Sequence, residues 1–142
     1  MILLAALPLT QADAALGDLA PSVAADQAHM QGTRKVTPGA AYSVHEITVP
    51  SGTRVREFVS SATGRVFALA WQGPYMPDLK QLLGDQYDSF VEGARNGGAR
   101  RSNVRVSQPG LVVHSTGHMR AFSGRAYLPD QLPAGVRIED IQ

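Results

Sequence analysis

Two pairs of side chains in this sequence have the chemistry to move protons or hold a metal. The first is His45 and Glu57, which flank the turn Pro50-Ser51-Gly52. If that turn closes a hairpin symmetrically, residue 45 lies opposite 57, 46 opposite 56 and 47 opposite 55. An imidazole steadied by a carboxylate is the base half of a nucleophilic triad. The nucleophile is missing: there is no GxSxG motif, and only Ser43 or Ser115 stands as a candidate. Opposite charges facing each other across strands are also ordinary sheet stabilisation. The second pair is His114 and His118. On a helix, HxxxH places two imidazoles on one face. Here LVV precedes, and Thr116-Gly117 reads as a turn, so the two histidines are expected to face each other across a hairpin. Two ligands fall short of a zinc site, which takes at least three from the protein. His45 and Glu57 complete the set only if the two strand groups adjoin. No catalytic residue, metal or cofactor is assigned, and the metal alternative rests on His114 and His118.

The arginines are the least ordinary feature. Arg95, Arg100, Arg101, Arg105, Arg120 and Arg125 lie between Gly93 and Pro129 with no acidic residue among them. A planar guanidinium fork suits phosphate and carboxylate groups. The segment therefore reads as a surface for an anionic lipid, glycan or protein, or as a solvated basic loop. Nucleic acid is not expected, because the loop lacks interleaved aromatic residues. Gly97-Gly98 lacks the lysine and hydroxyl of a phosphate-binding loop. Trp71, Tyr75 and Met76 read as a seal over a strand-to-helix corner. Asp85, Asp88 and Glu92 read as a solvated helix face, with no calcium-loop spacing.

The elements that must position these groups follow from residue texture. YSVHEITV, TRVREFVS and RVFALAW are rich in β-branched and aromatic residues and are separated by Pro/Gly turns. They predict an antiparallel meander of three strands. Pro77-Asp78 then opens a helical segment whose Leu79, Leu82, Leu83, Tyr87, Phe90, Val91 and Ala94 keep one apolar stripe. Gly84 marks a possible division, and Asn96-Gly97-Gly98 a stop. A second triplet, NVRVS, LVVHS and HMRAFSGRAYL, follows, and the tail from Pro129 is expected to wrap the surface. The fold class is α+β: an antiparallel sheet of five to six strands, in two three-stranded meanders, with one helical segment packed on a face.

The chain of 142 residues, 44% hydrophobic, is long enough for one domain with its own core. A formal charge of +1 carries no argument for a polyanion by itself, and the absence of cysteine removes disulfides and thiolate chemistry. No stretch reaches the length of a transmembrane helix. Residues 1–14 read as a signal peptide: ILLAALPLT precedes Ala12-Asp13-Ala14, a small-x-small cleavage pattern. The basic flank of such a signal is missing, as a start set too far downstream would cause. Residues 15–41 read as a flexible or partly helical leader, with Ser22 to Met30 its helix, and 42–142 as the globular domain. The expected location is the periplasm or outside the cell.

Three strings in the chain carry a family resemblance: SGT-x-VRE-x-VS, W-x-GP-x-MPDL-x-x-LLG and GLVVHS-x-GHM. With them, the chain from Ala15 onwards resembles the bacterial domain of unknown function 2844 family. The resemblance implies an exported proteobacterial protein and supplies no activity, cofactor or catalytic residue.

Overall fold

The strand-forming runs from Tyr42 onward build a sheet with one face under the helices and the middle of the other under the C-terminal tail. The computed structural model describes residues 16–97 and 102–142. Seven strands run β1 Thr33–Thr37, β2 Tyr42–Thr48, β3 Arg54–Ser60, β4 Val66–Gly73, β5 Asn103–Gln108, β6 Leu111–His118 and β7 Ala121–Tyr127. They form one antiparallel sheet in the order β1-β2-β3-β4-β7-β6-β5. The two meanders thus join where β4 pairs with β7. The expected five to six strands become seven because Thr33–Thr37, placed in the leader by sequence, is the first strand. Its five residues TRKVT are all exposed, so the pattern that betrays a half-buried strand is absent.

Helix α1, Ser22–Met30, falls where the sequence puts it. The expected single helical segment is divided. Helix α2 spans Leu79–Leu83, a 3-10 turn spans Gly84–Gln86, and helix α3 spans Tyr87–Asn96. Asp78 caps α2 by accepting a hydrogen bond from the Gln81 N–H at 3.2 Å. All three helices lie on one face of the sheet. There Val23, Leu82 and Leu83 pack with Ile47, Val55, Leu69, Trp71, Val106, Val113 and Ala126.

The opposite face is covered along its middle by the C-terminal tail. Phe58, Phe67, Ala68, Ala70 and Tyr127 form a second apolar cluster, and Ile141 of the tail inserts into it. Small residues make the room: Ala68 and Ala70 are the residues of central strand β4 beneath the tail. A bulge at Phe58/Val59 shifts the β3–β4 register and leaves Phe67 beside Ala68 in this cluster.

Two glycines hold the sheet's shape by close approach. Thr116-Gly117, expected as a turn, continues β6; a Cβ on Gly117 would stand 2.4 Å from the Phe122 ring. Trp71 lies over Gly124, where a Cβ would stand 2.3 Å from the indole. The free edges are β1 and β5. They are five and six residues long and carry Arg34, Lys35 and Arg105, a pattern that discourages edge-to-edge pairing.

Candidate functional site

The hairpin around Pro50-Ser51-Gly52 has the expected register: His45 opposes Glu57, and Glu46 opposes Arg56. Successive side chains alternate faces, so the two pairs part company. Glu46 and Arg56, on the tail side, form an ion pair at 2.8 Å. His45 and Glu57 turn towards the helices.

Beneath α1 the structure adds a residue that sequence patterning missed. Asp26 of α1 and Glu57 of β3 are both fully buried, and each carboxyl group acts electrostatically on the other. Asp26 also accepts from the Gln81 side chain at 2.9 Å. Two carboxylates cannot share a dry site unless one is protonated. Burial, followed by the Asp26 carboxylate, pushes Glu57 up to about 9, with Arg34 opposing. His45 lies alongside, its Nε2 3.3 Å from the Ser43 hydroxyl. Burial and then Arg34 hold its imidazole below the ordinary range. This is a sealed acid pair. No substrate reaches Glu57 while α1 is in place. Asp26 was hidden in the sequence because a single acid on a polar, alanine-rich helix looks solvated.

His114 and His118 do not face each other. Both lie on β6, four residues apart, so their Cα atoms are separated by roughly 13 Å at strand rise. They point to the tail side, away from the helix side that holds His45 and Glu57. The four residues of the metal or hydrolase alternative therefore do not converge. Among the described residues no group of three or more His, Cys, Asp or Glu gathers to hold a metal ion.

The arginines also disperse. Arg95 sits in the last turn of α3 and Arg120 in the β6–β7 turn, while Arg100 and Arg101 lie outside the described residues. Arg105 and Arg125 do come together. The strand register sets Lys35, Glu46, Arg56, Ala70, Arg125, His114 and Arg105 in one row across all seven strands of the tail-side face. The tail crosses at Ala70 and is gripped from both sides. The Arg56 guanidinium donates to the Gln142 carbonyl at 2.6 Å, and that of Arg125 to the Ile138 carbonyl at 3.1 Å.

Beyond the tail the row is basic, two arginines flanking an imidazole: Arg125, His114, Arg105. Strands β5, β6 and β7 contain no acidic residue. Burial first, then Arg105 and Arg125, lower the His114 pKa. Arg125, His114, Thr116, Ser123, Gln72 and Ile141 line an open groove of about 330 Å³ here. Its wall carries two hydroxyls, Thr116 and Ser123, 3.0 Å apart. Sequence singled out the two arginines. It could not place His114 between them, because that requires the β5–β6–β7 register.

With this architecture in view, the family model for a protein of unknown function (DUF2844) fits residues 12–141. The chain belongs to the DUF2844 family. Neither a curated protein nor a solved structure matches it. The family match spans both meanders, the helices and the tail of this DUF2844 chain, so the sheet, its helix-covered face and its tail-covered face belong to one family unit.

Proposed function

We propose that this DUF2844 chain is an exported, non-catalytic binding or accessory protein of the cell envelope, and that its cationic row meets an anionic partner. The observation that carries the reading is the alignment of Arg105, His114 and Arg125 on adjacent strands. Arg105 and Arg125 both stand directly opposite His114, so protonating His114 sets like charges against each other, which destabilises a sheet. A bound oxyanion removes that cost. Arg125 spends one N–H on the tail and keeps donors for a ligand, and Arg105 is exposed. The hydroxyls of Thr116 and Ser123 add neutral donors.

A phosphocellulose column run over a salt series tests the row. Retention is expected to fall steeply with salt, because exposed cations act through a field screened within about 8 Å at physiological ionic strength. Arg105→Gln should lower affinity about fivefold, the weight of one basic residue at an anionic surface. Its stability should stay within about 0.5 kcal/mol of the parent. Binding favours the protonated form of His114, so retention should also rise as pH falls below 6.5, the ordinary imidazole value. Equal retention of Arg105→Gln and the parent at every salt concentration would remove the row from the reading.

The export reading rests on ILLAALPLT before Ala12-Asp13-Ala14, a small-x-small pattern suited to cleavage after Ala14. Leu16 is buried, and its N–H bonds the Leu82 carbonyl at 3.0 Å, immediately after the expected cleavage point. Intact mass of the protein from its native host should correspond to a chain starting near Ala15. A full-length cytoplasmic product would contradict this.

A further inference from the structure

Three large apolar side chains project from turns at one end of the sheet. Met119 is 90% exposed, Tyr75 58% and Met76 40%. Gly73 pairs with Phe122 and His118 with Ala121, so the loop after β4 and the β6–β7 turn emerge at the same end. These positions are built rather than loose. Gly73 packs against Thr53, where a Cβ would stand 2.4 Å from the Thr53 Cα. The buried Thr53 hydroxyl donates to the Tyr75 carbonyl at 2.8 Å and accepts from the Tyr75 N–H at 3.3 Å. Pro74 and Pro77 stiffen the same loop. The backbone at Tyr75 is thus fixed while its ring stands in water.

The other tip is strained. Met119 and Arg120 alone connect β6 to β7, and Arg120 has φ 62. Glycine and asparagine take that conformation at less cost. A methionine and an arginine presented on such a turn point to a role for the side chains themselves. Between the loops runs a groove of about 310 Å³, with Gln72, Pro74, Arg120, Phe122 and Ser123 on its walls. Arg54, opposite Gln72, adds an exposed cation at this end. The turns 49–53, 74–77 and 119–120 contain no acidic residue. The nearest acid along the chain, Asp78, is engaged by the Gln81 N–H and by His29.

We propose that this end of the sheet docks on an anionic lipid bilayer, with Met119, Tyr75 and Met76 entering the interfacial layer and Arg120 and Arg54 meeting lipid phosphates. The arrangement fits a bilayer better than a protein. The apolar side chains stand on separate protruding tips, and the groove between them has mixed walls, with Gln72, Arg120 and Ser123 beside Pro74, Ala121 and Phe122. Headgroups fill such a groove, and separate tips can enter the interface side by side. Tyrosine and methionine suit that boundary: one is amphipathic and rigid, the other apolar and adaptable. The proposal rests on the reading of an exported envelope protein. It uses a different surface from the Arg105–His114–Arg125 row.

Co-sedimentation of the full chain with vesicles of equal parts phosphatidylglycerol and phosphatidylcholine tests it. The parent should bind these and bind pure phosphatidylcholine more weakly. Tyr75→Ser combined with Met119→Ser should reduce binding at least about tenfold, as loss of buried apolar area requires. Arg120→Gln should reduce it about fivefold. The doubly substituted variant should keep the parent's melting temperature and its phosphocellulose retention, which separates failure of the tip from failure of the row. The chain has no cysteine, so Met119→Cys gives a single labelling site. A polarity-sensitive dye there should shift to the blue on anionic vesicles. Equal sedimentation of the parent and the doubly substituted variant, or a parent that stays in the supernatant, overturns the proposal. Capture of an envelope protein that depends on Met119, without vesicle binding, would assign the tip to a protein partner instead.

Discussion

Replacing Glu57 by Gln should stabilise the protein at alkaline pH and remove most of the pH dependence of its melting temperature between pH 6.5 and 9. In the folded state Glu57 holds its proton up to about 9, against 4.5 for an ordinary glutamate. Between those values the unfolded chain binds fewer protons at this position than the folded one. Stability from Glu57 is therefore fully present below pH 4.5 and is lost as pH rises towards 9. The slope approaches about 1 kcal/mol per pH unit, and the accumulated loss is a few kcal/mol, roughly. His45 and His114 work the other way. Their folded values lie below the ordinary 6.5, so they cost stability as pH falls beneath it. The parent should accordingly be most stable near the meeting of the two trends, at about pH 6. Glutamine keeps the shape and donates a hydrogen bond to Asp26 without titrating. Melting curves of parent and Glu57→Gln from pH 5 to 9 check the account, and an unchanged slope in the variant would refute it. The groups facing Glu57 are Asp26 from α1, Gln81 from α2, Arg34 from β1 and His45 from β2.

Leu83→Ala is the second large effect, expected to cost about 2–5 kcal/mol by opening a cavity between α2 and the sheet. Leu83 is fully buried, as is Leu82. Both pack on the helix-covered face with Leu69, Trp71 and Val106. Phe90 lies on the same apolar stripe but is only partly buried, because α3 follows the break at Gly84 and packs chiefly over edge strand β5. Phe90→Ala should therefore cost less than Leu83→Ala. Asp88 is exposed, and Asp88→Ala should stay within about 0.5 kcal/mol. Chemical denaturation of the three variants measures this order. Equal costs for Leu83 and Asp88 would reverse the assigned face.

Much of the architecture is local and can be read from residue order. Ser22–Met30 is helical, Pro50-Ser51-Gly52 closes a hairpin, and His45 opposes Glu57, because turn chemistry and period-2 patterning act over neighbouring residues. Helix α3 ends at Asn96, where Asn96-Gly97 is expected to stop it, although Gly97 keeps φ −84 and is not a left-handed cap. Where the local signal was equivocal, distant contacts decided. Thr33–Thr37 became a strand because β2 offered it an edge, although its exposed, cationic residues carry no burial pattern. Gly117 stayed within β6 because the Phe122 ring needs the space a side chain would fill. Trp71, Tyr75 and Met76, which read as one corner seal, were divided: Trp71 is buried, while the other two project into solvent.

The chemistry followed the same division. The arginine-rich, acid-free segment is a property of sequence, since charge can be counted without a fold. Which arginines share a surface depends on pairings between residues far apart in the chain. Only the closed sheet sets Arg125 beside His114 and Arg105, and only the docking of α1 brings Asp26 to Glu57. The physical reason is range. Turn and helix preferences are set by a few adjacent dihedrals, whereas burial, proton sharing and charge rows arise when separate elements exclude water between them.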